Sequence, residues 1–388
     1  MPDRFLQIHA LTSYPAALLN RDDAGYAKRL PFGGAVRTRV SSQCLKRHWR
    51  TFDGPGALAE IDDVAMSVRS RKTMEDLVHK PLIEKGLDAD QVAKMTIEVM
   101  NEVVGKSDKK HPLRTGQITV LGRPEIAFLR DTVEKAVNDP ELTVKKLLSR
   151  EERKNLKALG HAAGLDAALF GRMTTGDIIA RGDAAIHVAH AFTVHAEDSE
   201  DDYFSAIDDL MKDADDGGKD SLGSGHIGTV ELTSGLYYTY VVVDVPLLVS
   251  NLTGLDRSNV DAADRTLAAE VVARLIGLIT TVSPGAKLGS TAPYAHAHVV
   301  MVEAGDAQPR TLANAFECPV RGDDRLGASY EALSNYVSDL DAMYPKLAAD
   351  RVIAGIRMPS NMRGTLSAAD GVASVDAVAE WARERVLA

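Results

Sequence analysis

The amino-acid sequence predicts an α+β fold with a large helical insertion. Three observations support this prediction: β-rich segments lie near residues 5, 190, 240 and 300, a long stretch over residues 57–160 is rich in helix-forming residues, and helical patterns return near the C-terminus. A β-α-β-β-α-β sandwich with helices packed on one face of its sheet satisfies this order. The 388 residues are 45% hydrophobic and 26% charged, which excludes intrinsic disorder, collagen and coiled coil as descriptions of the whole chain.

The N-terminal part of the chain begins with a strand and continues to a helix. Residues 4–11 (RFLQIHAL) alternate apolar and polar side chains, as a half-buried strand does. The following residues are rich in proline and glycine, including the pair Gly33-Gly34, and are predicted to form a loop. A helix is predicted over residues 41–52, because Ser41-Ser42 is a start signal and Gly54-Pro55-Gly56 is a stop signal.

The rest of the chain alternates helices and strands around the helical block. Further strands are predicted where β-branched and aromatic residues concentrate, with a turn in the middle of the longest one. These strands cover residues 185–195, 227–245 (turn at Ser234-Gly235) and 297–303. The remaining helices cover residues 259–282, about 325–347 and 373–387.

The charge of the chain is unevenly distributed. The net charge of −10 taken alone argues against a nucleic-acid partner. Residues 197–220, however, hold eleven acidic residues against two lysines, so one segment accounts for most of the negative charge. Residues 21–50 carry eight cations against two aspartates: Arg21, Lys28, Arg29, Arg37, Arg39, Lys46, Arg47 and Arg50.

The helix over residues 41–52 has one apolar and one cationic face. At about 100° per residue, Leu45, Trp49 and Phe52 share one arc. The opposite arc presents Gln43, Lys46, Arg47 and Arg50. Such a face can neutralise several phosphates while the amide hydrogen-bonds sugars or base edges. A solvated helix face is the alternative, and the cations of the preceding loop favour binding to phosphates.

Other motifs give weaker signals. Residues 223–228 (GSGHIG) match a dinucleotide-binding pattern, but they lack the preceding strand and following helix that the mechanism needs. Asp22 and Asp23 could hold Mg²⁺ for RNA cleavage, so a metal-dependent endoribonuclease is the alternative function; more often such residues tie a loop to its neighbours. The histidines near residues 187–195 are expected to be ordinary half-buried side chains. We expect no catalytic residues, no metal site and no cofactor.

The sequence gives no sign of export or membrane insertion. Cys44 and Cys318 are too few for a disulfide framework, which fits a reducing cytosol. The longest apolar stretch, residues 236–249, is too short to span a bilayer and contains Asp244 and Pro246. We therefore expect a cytoplasmic protein without a membrane partner.

Several segments resemble one protein family. Residues 4–50 (RFLQIHALTSYPAALLNRDDAGYAKRLPFGGAVRTRVSSQCLKRHWR) closely resemble the N-terminus of the backbone subunit of type I-E CRISPR Cascade complexes. Further similar segments follow in the family's order: ALFGRMTTGD at 168–177, AAIHVAHAFTVHAEDSEDDYFSAIDDL at 184–210, IGTVELTSGLYYTY at 227–240, VSPGAK at 282–287 and NAFE at 314–317.

The resemblance implies a right-hand architecture. An RRM-like (ferredoxin-like) palm would carry a large helical fingers insertion and a β-hairpin thumb. On this reading the domain boundaries are 1–56 for the first part of the palm, 57–180 for the fingers, 181–196 for a palm strand, 197–228 for the thumb and 229–388 for the remainder of the palm. The segment Lys212–Gly225 is longer and more acidic than the family's thumb tip.

The resemblance also implies which residues contact RNA. Those that fall on the family's N-terminal RNA-facing motif are Asn20, Arg21, Lys28, Ser41, Gln43, Lys46, Arg47 and Arg50. Lys287 lies in the matching PGAK loop. Met173 and Phe204 correspond to apolar wedges of fingers and thumb that flank a kinked nucleotide.

The implied function is that of a scaffold, not an enzyme. Copies of the chain would form a helical filament along a guide RNA (crRNA), bind it irrespective of sequence, kink nucleotides at regular intervals and leave the guide open for pairing with target DNA. The implied partners are crRNA, the target DNA strand through the guide, other copies of the chain, and the large, small, 5′-handle-capping and crRNA-processing subunits of Cascade.

Overall fold

The structure is a computed structural model. It describes residues 3–62, 64–139, 141–148, 163–172, 182–206, 226–347, 349–362, 366 and 374–388. Two of the sequence-based predictions, Met173 and the acidic segment Lys212–Gly225, fall outside the described residues.

One large antiparallel sheet organises the described part of the chain. Its order is β11-β10-β1-β9-β7-β3-β2, and β6 and β8 also pair with β9. A separate two-stranded sheet joins β4 and β5. The strands are β1 (Phe5–Ala17), β2 (Arg29–Phe32), β3 (Ala35–Val40), β4 (Val68–Ser70), β5 (Thr119–Leu121), β6 (Ile186–Val188), β7 (Ala191–Thr193), β8 (Ser199–Ala206), β9 (His226–Asp244), β10 (Ala297–Gly305) and β11 (Asp350–Gly355).

Eleven α-helices surround these strands among the described residues. They are α1 (Ser42–Thr51), α2 (Lys80–Glu84), α3 (Ala89–Val99), α4 (Arg123–Asn138), α5 (Val144–Leu147), α6 (Leu165–Phe170), α7 (Val245–Thr253), α8 (Thr266–Thr281), α9 (Leu288–Thr291), α10 (Arg325–Met343) and α11 (Val375–Leu387). Single turns of π-helix, Glu75–His79 and Met100–Val104, adjoin α2 and α3. The mixed content and the antiparallel sheet confirm the predicted α+β class.

Helices cover both faces of the large sheet. On one face α1, α8 and α11 pack against strand residues such as Ile8 and Val241. On the other face α10 packs through Tyr330, Leu333 and Val337 against Tyr238 of β9. The expectation that helices pack on one face only is therefore wrong. The face under α10 carries apolar residues of its own, which would otherwise lie in water.

The helical block has a core of its own. Met74, Val99, Met100 and Leu129 are among the residues of a hydrophobic cluster that is separate from the clusters of the sheet. The helical pattern did not predict the short strands β4 and β5. They pair with each other, so the start of this block lies beside the residues that directly precede α4. We call residues 68–148 the helical module.

The predicted loop before α1 is partly a hairpin. Strands β2 and β3 pair in antiparallel register, and Phe32 faces Ala35 across Gly33-Gly34. Both glycines have positive φ, 58° and 74°. Such a two-residue turn matches the twist of the strands it joins and requires residues without a Cβ penalty. The loop prediction over this stretch is therefore wrong.

The predicted turn at Ser234-Gly235 is also wrong, because β9 continues through it. Gly235 faces Tyr14 of β1, just before a register shift. A Cβ on Gly235 would come within 2.5 Å of Thr193 Cγ2. This glycine serves a close approach between neighbouring strands, which is the other common use of glycine in a strand.

None of the helices among the described residues combines the length and the apolar character that crossing a bilayer requires.

Replacing Gly235 with alanine tests this close approach. The side chain of Thr193 cannot move away freely, because its hydroxyl donates to His195 O at 2.9 Å and accepts from Thr38 N at 3.2 Å. Gly235→Ala should therefore lower the free energy of unfolding by about 1–3 kcal/mol, measured by urea denaturation. Gly277→Ala in α8 is the control, since its Cβ would meet nothing within 4 Å. The control should gain about 0.5–1 kcal/mol, and equal effects of the two substitutions would contradict the packing argument.

Candidate nucleic-acid interface

Helix α1 has the two faces that its sequence predicts. Leu45 and Trp49 are buried in the core beneath the sheet. The outer face presents the exposed side chains of Gln43 and Arg47 and the half-buried side chains of Lys46 and Arg50. Burial lowers the pKa of Lys46, and the nearby charge of Arg69 lowers it further. The outer face therefore concentrates cations on a helix that the core holds rigidly.

Asn20 and Ser41 connect the end of β1 to the start of α1. The Ser41 hydroxyl accepts a hydrogen bond from Cys44 N at 3.3 Å and caps the helix. Ser41 N donates to Asn20 Oδ1 at 2.9 Å. Lys28 N donates to Asn20 O, also at 2.9 Å. The structure thus gives these two side chains a positioning role, and their contact with RNA stays a prediction.

Lys28 and Arg39 lie beside the helix face. Arg39 Nη1 is 2.9 Å from His190 Nδ1. Burial lowers the pKa of His190, and the charges of Arg39, Lys28 and Lys46 lower it further. Three cations from three parts of the chain therefore act on one imidazole ring, and Nδ1 of this ring accepts from Arg39.

Arg50 meets a cation that sequence analysis did not identify. Arg50 Nε is 3.7 Å, and Arg69 Nε 3.2 Å, from Asp166 Oδ2. The Asp166 side chain is completely buried, whereas Arg50 and Arg69 keep 20% and 33% of their side chains exposed. Arg69 belongs to β4, outside the basic segment 21–50 that the sequence analysis singled out. Only the pairing of β4 and the position of Asp166 place it beside α1.

We call this set of side chains the cationic surface. Arg47 belongs to it because its charge lowers the pKa of Arg50. Burial raises the pKa of the Cys44 thiol, and the charges of Lys28 and Arg47 both lower it, so these two cations also lie near each other. Its members come from α1, the β2–β3 region and β4: Lys28, Arg39, Lys46, Arg47, Arg50 and Arg69.

Arg29 and Arg37 of the basic segment do not join the cationic surface. Arg29 forms ion pairs with Glu197 and Glu231. Arg37 is fully buried and donates to backbone carbonyls, among them Thr193 O at 3.0 Å and Phe316 O at 2.9 Å. Burial lowers the pKa of Arg37. These two arginines hold the fold together, so the basic segment overstates the number of cations available to a ligand.

Arg21 and Lys287 flank the end of β1. Arg21 is exposed and pairs through its backbone with Ala27. Lys287 is half-buried before α9, and Ala286 N donates to Leu18 O at 2.9 Å. The PGAK loop is thereby attached to the same stretch of chain that leads to Asn20. Both predicted residues therefore lie next to the stretch of chain that leads from β1 to α1.

Phe204 lies on a different element. It is 40% exposed on β8, and its ring lies over Gly228 of β9, where a Cβ would come within 2.4 Å of the ring. The described part of residues 197–228, where the thumb is predicted, contains the antiparallel pairing of β8 with β9 from Ser199↔Thr233 to Ala206↔His226. Met173 and most of the acidic segment lie outside the described residues; the preceding Arg172 is buried and donates to Glu125 Oε2 at 2.7 Å.

Asp22 and the described end of the dinucleotide pattern have structural roles. Asp22 closes a tight loop: its carboxylate accepts from Tyr26 N at 2.9 Å, and Asp22 N donates to Tyr26 O at 2.8 Å. His226–Gly228, the described end of the dinucleotide pattern, begins a strand and not the helix which that pattern requires. Within the described ranges, no three His, Cys, Asp or Glu side chains are grouped so that they could hold a metal ion.

Asn20 offers a test of how the surface is positioned. Asn20→Ala leaves the buried Ser41 N without its acceptor and should lower the free energy of unfolding by about 1–2 kcal/mol in a urea titration. Asn20→Asp keeps an acceptor oxygen at the same place and should change stability by less than half of that. If both variants are equally unstable, the hydrogen bond to Ser41 is not what the side chain contributes.

Comparison with known proteins finds similar sequences and structures over nearly the whole length of the chain. The sequence matches the CT1975-like protein family over residues 6–381. A solved chain described as "CRISPR RNA-guided surveillance complex, pre-nicking" is 28% identical with a TM-score of 0.78, over 98% of this chain and 100% of that chain. A second, described as "CRISPR RNA-guided surveillance complex", is 25% identical with a TM-score of 0.70, over 98% and 99%. No curated protein matches the sequence. Since the family match spans nearly all of the chain, the protein belongs to the CT1975-like family.

Proposed function

We propose that this protein is the repeated, crRNA-binding backbone subunit of a type I-E CRISPR Cascade complex. The observation that carries the proposal is the likeness over the whole chain to subunits of CRISPR RNA-guided surveillance complexes, combined with a cationic surface on the same fold. On this proposal the protein is a cytoplasmic scaffold without a catalytic role. Its partners are crRNA, target DNA paired to the guide, copies of itself and the other Cascade subunits named above.

The chemistry of the cationic surface suits a ligand that is recognised by its backbone. Lysine and arginine side chains neutralise phosphates irrespective of sequence. Helices cover both faces of the central strands of the large sheet, so those strands offer no open face on which bases could stack. A guide carrier needs this combination, because guides differ in sequence and their base-pairing edges must stay free.

The domain reading follows the resemblance. We propose that residues 1–56, 181–196 and 229–388 form an RRM-like palm, supported by the order β10-β1-β9-β7 with α1 and α8 packed on one face. Residues 57–180 form the fingers, supported by the separate core of the helical module. Residues 197–228 form the thumb, supported by the β8–β9 pair.

Arg47→Ala tests sequence-independent binding. Arg47 is exposed on α1 and has no side-chain partner within the described residues, so its loss should not disturb the fold. The variant should weaken binding of single-stranded RNA equally for guides of unrelated sequence. If Arg47 neutralises one phosphate, the slope of log affinity against log salt should fall by about 0.7. Fluorescence anisotropy over a salt series measures both quantities.

Lys94→Ala is the matched control, because Lys94 is an exposed helical cation of the helical module. The control should leave affinity and salt slope unchanged. Binding that depends strongly on guide sequence, or no RNA binding by the unmodified protein, would overturn the proposed function.

Phe204→Ala tests the proposed kinking of the guide. An exposed aromatic ring on the thumb can wedge between nucleotides, whereas Tyr203, 63% exposed, points to the opposite side of the same strand. In assembled complexes, chemical probing of the guide should show nucleotides exposed at regular intervals. Phe204→Ala should weaken this periodic pattern while the salt slope stays the same, and Tyr203→Ala should preserve it. The same pattern in both variants would remove Phe204 from the proposed wedge.

A further inference from the structure

The junction between α1 and the helical module contains more positive than negative charge. Arg50 and Lys46 come from α1, and Arg69 comes from β4. Asp166 is the carboxylate that raises the pKa of Arg50, whereas burial and the charge of Arg69 both lower the pKa of Lys46. Arg50 and Arg69 therefore share one carboxylate, and Lys46 adds a third positive charge near Arg69.

The carboxylate of Asp166 is held in a fixed place. Asp166 Oδ1 accepts from Ser67 N at 2.7 Å, and Oδ2 accepts from the Ser67 hydroxyl at 2.8 Å. Gly164, next to α6, packs so closely on Ser67 that a Cβ would come within 2.5 Å of Ser67 N. Because Asp166 cannot follow the arginines, the arginines take their positions from it.

This geometry leaves positive charge uncompensated in a half-buried place. Burial lowers the pKa of Arg50, and the like charges of Arg69 and Arg47 lower it further while Asp166 raises it. Partly desolvated cations gain most from a second anion, since Coulomb interactions are stronger there than in bulk water. A phosphate supplies this charge and two or more acceptor oxygens for guanidinium groups.

We infer that Lys46, Arg50 and Arg69 form one subsite for a single phosphate of the bound RNA, and that Asp166 is the residue that positions both guanidinium groups for it. The inference rests on the proposed function and adds to it a contact from the helical module. A phosphate in this subsite joins α1 to β4, so RNA binding connects the sheet core to the helical module.

Substitution of Arg69 tests whether the helical module contributes to RNA binding. Arg69→Ala should weaken binding of a single-stranded RNA oligonucleotide by about tenfold, the usual effect of losing one charge-assisted hydrogen bond. It should also reduce the salt slope by about 0.7. Arg69→Gln keeps most of the side-chain volume and removes the charge. It should weaken binding to the same extent, and it replaces the alanine variant if truncation disturbs the fold. Lys72→Ala removes an exposed cation three residues away and should change neither quantity.

Substitution of Asp166 tests whether its carboxylate positions the two arginines or only reduces the local positive charge. Asp166→Asn makes the junction more positive, so a carboxylate that merely reduces the charge would, once lost, increase RNA affinity. If Asp166 positions the arginines, Asp166→Asn should lower the affinity about threefold or more in spite of the added net charge. Circular dichroism verifies that each variant is folded.

The outcomes separate this inference from the proposed function. If the unmodified protein binds RNA and Arg69→Ala matches Lys72→Ala, the subsite is wrong and the scaffold function stands. Higher affinity of Asp166→Asn would overturn the positioning role. If the unmodified protein binds no RNA, the proposed function itself is wrong.

Discussion

The antiparallel pairing of β1 with β9 is the constraint on which the rest of the structure depends. It runs from Phe5↔Asp244 to Ala17↔Thr233 and so holds the end of β1 at a defined point of the sheet. The chain leaves that point through Leu18 and Asn20, which accept hydrogen bonds from the PGAK loop and from the start of α1. Two segments that are far apart in sequence are thereby attached to one strand end. A flexible attachment would let the cations avoid one another, whereas this rigid one keeps them together.

Keeping cations together costs free energy, and the acidic residues are placed so that the cationic surface persists. Glu197 and Glu231 bind Arg29 and not the cations of α1. Asp166 is the exception, but it is shared between two arginines and completely buried. A carboxylate in that place orders the arginines without presenting negative charge to a ligand. The net charge of −10 is therefore compatible with a local anion-binding surface, because most of it lies elsewhere in the chain.

Sequence patterns predicted those parts of the fold in which one face is apolar and the other polar. Helix α1 is the clearest case, because Leu45 and Trp49 recur at helical spacing opposite the cations. Strand β1 was predicted only to residue 11, although it continues to Ala17. Pro15 lies in its second half, where the register shifts between Tyr14 and Ala17 and Ala16 has a φ of 43°. A proline at a bulge is compatible with a strand, but in a sequence it resembles a loop signal.

The candidate site was less predictable than the fold, because the same residue type has opposite roles at neighbouring positions. Arg37 and Arg47 lie in one basic segment, yet Arg37 points from β3 into the core and Arg47 from α1 into solvent. The difference follows from which strand pairs with β3, and no local pattern contains that information. Arg69 shows the converse: its position depends on Asp166, which is distant in sequence. Charge density along a chain predicts that an anion site exists, but which cations form it is decided by long-range contacts with buried carboxylates and carbonyls.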